Sequence, residues 1–480
     1  MSKKLLWFSL FILLMILIVA LKLTSLSKIE ESMGNEKNTG RNFSPNTVPA
    51  GSDSQYDIDL KMTEDGIFHL SATVSIKNIS QDSWSDLVFY FIPNIFTEET
   101  SLELQNPLKA AAMVKIHNIN LDGEQVDYHL DKDTLRIPLS KKLEPDSQVK
   151  VEFQYEFTLP EGGLRFTKLN GNYHLAQFYP MVATYRNHKW NKEDYGFRGE
   201  TYHTAFSDFK VSYEIPEAYT FVSSSEVDGE PGNSNGTFEI DNVKDIYIAI
   251  LNDPMIIQTQ TEEVTIRVFG FEDKKDIYRE ISEVAADALA YFQETIGPYP
   301  FAQLDIVIDS LGMEYPGIVT AYSIYDSGPA SPDFLKSMVV HEIAHQWFYG
   351  LISNDPYHNG WLDEGMADFA KMLYRHSSTD SDIPYESMNN LIEMLEPLPV
   401  NLPLDQYGEN MSSYIYGKST TMLWNIFKEK GGIEEAENFL KSYYEYYQYK
   451  EVDSEEFVRF VKYYFDLEDD SVFEDWLLLE

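Results

Sequence analysis

Two rhythms of apolar residues divide this chain. Between about residues 56 and 252 apolar and polar side chains alternate in short runs, as in Phe68-His69-Leu70-Ser71-Ala72-Thr73-Val74 and Val149-Lys150-Val151-Glu152-Phe153-Gln154-Tyr155. A period of two sends successive side chains to opposite faces, so each run reads as a strand with one buried face. Turn-forming clusters such as Pro231-Gly232-Asn233-Ser234-Asn235-Gly236 separate later runs, and this spacing suits a β-sandwich or a curved saddle of sheets. After about Pro254 the rhythm changes. Residues 264–268 read as a strand, 276–295 as a helix and 304–308 as another strand, and the spacing beyond Ser412 is helical almost to the end. That half is expected to be α+β, with its functional site between a sheet edge and helices.

A third pattern lies at the start. Lys3 and Lys4 precede an apolar stretch from Leu5 to Leu21, interrupted only by Ser9. Its length is the short end of a membrane-spanning helix and exceeds most signal-peptide cores, and no clear small-residue cleavage site follows. The two lysines favour a cytoplasmic N-terminus. The expectation is a single-pass signal anchor over residues 1–23 with the rest of the chain extracytoplasmic; a cleaved signal peptide is the rival. Residues 24–54 are polar and read as a flexible stalk, 55–254 as the β-rich domain and 255–480 as the α+β domain.

Composition narrows the chemistry. A formal charge of −41 argues against nucleic acid as a partner. There is no cysteine, so neither disulfides nor thiolate metal sites are available, and histidine and carboxylate are the remaining ligand types. They occur together in His341-Glu342-Ile343-Ala344-His345. On a helix, positions i and i+4 share a face, so both imidazoles can reach one ion, with Glu342 beside them. Ser331-Pro332-Asp333 supplies an N-cap, a first-turn proline and an acidic residue, and Gly350 is placed to end that helix. Glu364, in Trp361-Leu362-Asp363-Glu364-Gly365, follows His345 by nineteen positions, room for a turn and a second helix running back past the first. Two histidines and a glutamate with a fourth position open to water is the ligand set of a catalytic zinc site, one ion per chain. In such a site Glu342 would take a proton from the attacking water.

Other residues are weaker signals. Asp368, four positions after Glu364, either orients one of the histidines or is an ordinary exposed aspartate. Gly312-Met313-Glu314 begins a possible edge strand, where Glu314 would hold a substrate amine if it is not simply solvated. Tyr416 is one phenol among 32, and by itself would not be chosen as an oxyanion donor. His358 has the character of a surface turn residue and is left out of the ligand set.

Together, His341-Glu342-Ile343-Ala344-His345-Gln346-Trp347, the glutamate of Trp361-Leu362-Asp363-Glu364-Gly365, Gly312-Met313-Glu314-Tyr315-Pro316 and Tyr416-Gly417-Lys418-Ser419 resemble, in order, the motifs of the aminopeptidase N family of gluzincin metallopeptidases, which includes leukotriene hydrolase. The resemblance implies a thermolysin-like catalytic domain behind a saddle-shaped β-domain, together covering about residues 56–480. It also implies peptide substrates, a glutamate for the substrate N-terminus at Glu314, with Gly312 and Met313 beside it, and a transition-state tyrosine at Tyr416. Leu311 and Tyr315 stand where that family usually has glycine and asparagine. No firm match is found for the family's second amine-binding group; Gln177 is the one candidate. The resemblance also implies a large helical C-terminal domain beyond Glu480, where this sequence stops, and the alternative expectation is a zinc endopeptidase with an open cleft. A non-catalytic surface module on a peptidase fold is the other. Side-chain preference and oligomeric state are not encoded in any motif.

Overall fold

The structure is a computed structural model that describes residues 42–101, 108–226, 233–271, 274–309, 311–322, 331–379 and 382–479. The expected anchor over residues 1–23 and most of the stalk lie outside these residues. Among the described residues no helix is long and apolar enough to cross a membrane.

The first half is built of sheets. A seven-stranded sheet runs in the order Asn235–Val243, Ser207–Glu214, Ser52–Met62, Phe68–Asn78, Gln148–Phe157, Val114–Leu121, Glu124–Gln125. Strand Ser52–Met62 alternates strictly, burying Tyr56, Ile58, Leu60 and Met62 and exposing Asp57, Asp59 and Lys61. One face is therefore solvated, and the other packs on two four-stranded sheets through an aromatic-rich core that includes Trp84, Phe89, Phe153 and Phe157.

The second half opens with a four-stranded sheet in chain order: β1 (Met255–Gln260), β2 (Thr265–Gly270), β3 (Gln303–Val307) and β4 (Ile318–Thr320). β1 is antiparallel to β2, whereas β2, β3 and β4 are parallel. The β2-to-β3 crossover is helix α1 (Lys275–Thr295), whose Tyr278, Ile281, Ala285, Ala288, Leu289 and Phe292 form one apolar stripe. β2 ends at Gly270, where a β-carbon would fall 2.2 Å from the Tyr278 ring. Helices α2 (Pro332–Ala344) and α3 (Glu364–Thr379) pack on α1 and on each other. Helices α4 (Ser419–Lys430), α5 (Gly432–Tyr447) and α6 (Ser454–Phe465) complete the core behind them.

Two findings tie the halves together. Residues 42–51 are not a free stalk. Phe43 stacks on Tyr463 at 4.6 Å, the Asn46 N–H donates to Glu456 Oε1 at 3.0 Å, and Val48 bridges to Glu451. The polar composition of this segment hid one aromatic anchor and a single backbone bridge, and the first strand begins at Ser52. The two halves also share a small apolar seam, in which Tyr247 of the β-rich half stacks face to face on Tyr315 at 4.3 Å. Beside it, Arg186 pairs with Asp355 and, at 2.8 Å, with Glu451.

Candidate active site

Helix α2 starts as its sequence dictates. Ser331 Oγ accepts from the Phe334 N–H at 3.2 Å, Pro332 occupies the first turn, and Asp333 sits at the positive helix end. Its end differs from expectation: the helix stops at His345 rather than running to Gly350. The chain folds back there, with Tyr349 at φ 106° and the Gly350 N–H donating to the His345 carbonyl at 2.9 Å. That reversal has a consequence at the ring, because the Phe348 carbonyl now accepts from His345 Nδ1 at 2.9 Å. On the neighbouring turn, Asp368 of α3 lies 2.8 Å from His341 Nδ1 and also pairs with Lys371. His345 thus has its Nδ1 proton held by a carbonyl and His341 Nδ1 faces the Asp368 carboxylate, an arrangement that favours Nε2 as the lone-pair donor of each ring.

Those nitrogens converge. His341 Nε2 and His345 Nε2 lie 3.1 Å apart, and each is 3.1 Å from Glu364 Oε2 at the start of α3. A tetrahedral zinc site with ligand bonds of about 2.0–2.1 Å has ligand–ligand edges of about 3.4 Å, so the spacing is that of three corners around one ion. Among the described residues this is the one group of three or more such side chains whose ligand atoms come together. The donor set fits zinc. His358 lies outside it, with its Nδ1 on Asp355 at 2.9 Å.

The Tyr416 hydroxyl donates to the second oxygen of Glu364, and its ring lies 5.7 Å from that of His341. It is carried by a single turn of π-helix (Ser413–Lys418) just before α4, a widened turn often met at functional sites. Glu342 is buried beside the cluster. Burial pushes its carboxyl up to about 7, against the opposing pull of His341 and His345.

On the other wall, Met313 forms an antiparallel bridge to Thr320 of β4, so residues 311–314 line the sheet edge. It is one bridge rather than the full edge strand expected, because the chain turns at Tyr315–Gly317 with Gly317 at φ 73°. Gln346 staples this turn to α2. Its amide donates to the Tyr315 carbonyl at 3.1 Å and accepts from the Gly317 N–H at 3.0 Å. Gly312 leaves room for the Glu342 carboxylate, which would lie 2.5 Å from a β-carbon there.

A cleft of about 400 Å³ unites these groups, lined by Gly312, Met313, Glu314, Glu342, Glu364 and Tyr416, with Glu200 and Arg165 from the β-rich half. Glu314 is 7% exposed. Burial first, then the carboxylates of Glu200, Glu342 and Glu364, push its carboxyl well above the usual range. Glu200, also 7% exposed, was not found from sequence, since nothing in Phe197-Arg198-Gly199-Glu200-Thr201 distinguishes it. Gln177 is fully buried at a left-handed position, φ 51°, and is not among the residues lining the cleft. The carboxylate that the β-rich half contributes is Glu200.

A His-Glu-His helix, a second helix carrying the third ligand and an acidic sheet edge, closed on one side by a β-rich domain, define a two-domain metallopeptidase architecture. Residues 281–476 match the family described as Peptidase family M1 domain, and the chain carries that domain. It is 28% identical over 198 residues to leukotriene A-4 hydrolase of Xenopus laevis, covering 37% of this chain and 32% of that protein. It is 25% identical over 271 residues to aminopeptidase 2 of Candida albicans, covering 50% and 29%. The chain thus spans about a third of the length of these curated relatives. Its fold is that of the M1 zinc metallopeptidase from Deinococcus radiodurans, with a TM-score of 0.60 at 16% identity over 87% of this chain and 91% of that one.

Proposed function

We propose that this chain is a zinc aminopeptidase that removes residues from the free N-termini of peptides. The observation that carries this reading is the pair of buried carboxylates, Glu314 and Glu200, lining the same cleft as His341, Glu342, Glu364 and Tyr416. Two acids with little solvent form a receptor for a cation, and a peptide's α-ammonium is the cation next to its first peptide bond. Chemistry names in the M1 family point the same way, since aminopeptidase 2 is among the relatives.

Zinc held by His341, His345 and Glu364 would lower the pKa of a water toward neutrality and polarise the scissile carbonyl. The remaining work falls to side chains of this chain. Glu342, buried beside the ligands and facing the same cleft, is placed to accept the water's proton and return it to the leaving amine. The Tyr416 hydroxyl, which here gives its one proton to Glu364, would turn that proton to the oxygen on which negative charge develops. The sheet edge at Gly312 and Met313 supports the substrate backbone beside β4, and Glu314 with Glu200 fixes the N-terminus so that only the first bond reaches the centre. Asp368 and the Phe348 carbonyl keep both imidazoles in the ligating tautomer.

The test is hydrolysis of one peptide with a free N-terminus beside its N-acetylated form, with a chelator control. Stepwise, chelator-sensitive loss of N-terminal residues from the free peptide alone is expected. Equal internal cleavage of both would instead make this an endopeptidase with an open cleft. For location, the expectation is a single-pass anchor with the catalytic part outside the cytoplasm, supported by Lys3 and Lys4 ahead of the apolar stretch from Leu5 to Leu21. Digestion of the catalytic part by protease added to intact cells tests it; full protection would overturn it.

A further inference from the structure

Behind the amine-binding wall lies a buried acid that the mechanism does not use. Asp245 has no exposure at all, and among the described residues no cation pairs with it. Its neighbour Lys244 directs its ammonium elsewhere, to the Thr204 carbonyl and, at 2.7 Å, to Ser353 Oγ. What Asp245 does touch is Tyr202, whose hydroxyl lies 3.1 Å from Asp245 Oδ2 and 3.1 Å from Glu200 Oε1. A phenol carries one proton and can donate it to only one of two carboxylates. If both acids were ionised, one of these contacts would set two oxygens together with no hydrogen between them. An unpaired buried carboxylate is also the costly form, and a buried acid without a cation takes up a proton instead.

We propose that Asp245 is a neutral, protonated positioning residue, donating from Oδ2 to the Tyr202 oxygen so that the Tyr202 hydroxyl in turn donates to Glu200 and holds it as an oriented carboxylate for the substrate ammonium. The proposal rests on the aminopeptidase reading and adds to it a directed chain from Asp245 through Tyr202 to Glu200. Arg165, with Nε 3.8 Å from Glu200 Oε1, supplies the only guanidinium of this wall that pairs with Glu200 among the described residues. Burial first, and then the charge of Glu200, push the Asp245 carboxyl up to about 7, against the nearby hydroxyls of Tyr349 and Tyr202 and the more distant charge of Lys244. The phenols of Tyr179 and Tyr315 are the other titratable groups that feel its charge, and both are themselves raised far out of the working range by burial. As pH rises through that region Asp245 ionises and becomes the stronger acceptor. The Tyr202 proton is then drawn to it, and Glu200 loses its donor.

An asparagine at 245 has the shape of the neutral acid, can donate from its amide and cannot ionise. That makes the conservative variant decisive. With a free-amine peptide, kcat and KM are measured separately from about pH 6 to about pH 9 for Asp245→Asn, Asp245→Ala and Tyr202→Phe, a range spanning this acid and the substrate amine. Asp245→Ala and Tyr202→Phe are expected to raise KM about tenfold, the size of a lost hydrogen bond to a charged group, with little change in kcat. Asp245→Asn is expected to keep the wild-type KM at the acid end and to lose the part of the alkaline rise that comes from this group. Asparagine as damaging as alanine would show that Asp245 acts as a charge and overturn the proposal, as would an unchanged KM in Tyr202→Phe. Should Asp245→Ala fail to fold, Tyr202→Phe, which removes only the hydroxyl, carries the same expectation. Wild-type cleavage of an N-acetylated peptide as fast as the free one would overturn the aminopeptidase reading. A strict free-amine requirement with all three variants unchanged would overturn this proposal alone.

Discussion

Replacing Glu314 and Glu200 by glutamine, singly and together, is the sharpest probe of the amine receptor. The change keeps size and one carbonyl acceptor and removes only charge. A hydrogen bond to a charged group contributes about 1.5–3 kcal/mol, so each substitution alone would cost kcat/KM about tenfold at the lower end. The structure argues that the singles sit at that lower end. Both acids are 7% exposed, and after burial itself the charge of Glu200 is the largest influence raising the Glu314 carboxyl. Removing Glu200 relieves that repulsion, makes Glu314 easier to ionise and returns part of the loss. The double variant has no such compensation, so its loss should exceed the product of the two singles, beyond about a hundredfold. The assay is kcat/KM on a free-amine peptide and its N-acetylated form, with zinc content measured for every variant. Equal losses on both peptides would refute the assignment, because an acetylated terminus offers no cation to bind. A silent Glu200→Gln would remove the β-rich half from substrate recognition.

Glu342→Gln should lower kcat by about 10²–10⁴-fold, the usual scale for a lost general base, while zinc content stays at one per chain; near-normal turnover would rule out the proton route. Tyr416→Phe should lower kcat by about 10²–10³-fold with zinc retained, and an unchanged kcat would remove the phenol from oxyanion stabilisation. The seam between the halves should be acid-sensitive. Burial pushes His203 down to about 4 despite Glu451 beside it, so unfolding takes up a proton and stability falls as pH drops from 6.5 to 4. Burial would raise Glu451, but His203, Lys244 and Arg186 hold it at about 2, so its contribution is present above 4.5 and is lost as pH falls below that value. Urea midpoints for His203→Gln should therefore vary less between pH 6.5 and 4 than those of the wild type, and parallel curves would contradict the reasoning.

The site divides by how local its chemistry is. Ser331 as N-cap, the pairing of His341 with His345 and the approach of Glu364 follow from helical periodicity and a short connection, so spacing alone anticipated them. Asp368 was an even choice on the same grounds, and its contact with His341 depends on how α3 crosses α2. Where α2 ends was misjudged because Gly350 looked like a stop. The earlier reversal is stabilised by bonds to His345 that periodicity cannot register.

Strand alternation, the metal helix and the absence of thiol ligands were written in residue order, because each depends on neighbours a few positions away. Glu200, Asp245, Tyr202 and the Gln346 staple were not, and neither was the docking of Phe43 on Tyr463. Burial against a distant segment places an ordinary glutamate in the cleft wall, where the proposed function makes it half of a cation receptor, and sets Asp245 behind it. Desolvation and facing charge are properties of the folded neighbourhood, and only the packing of the β-rich half against the helices creates it.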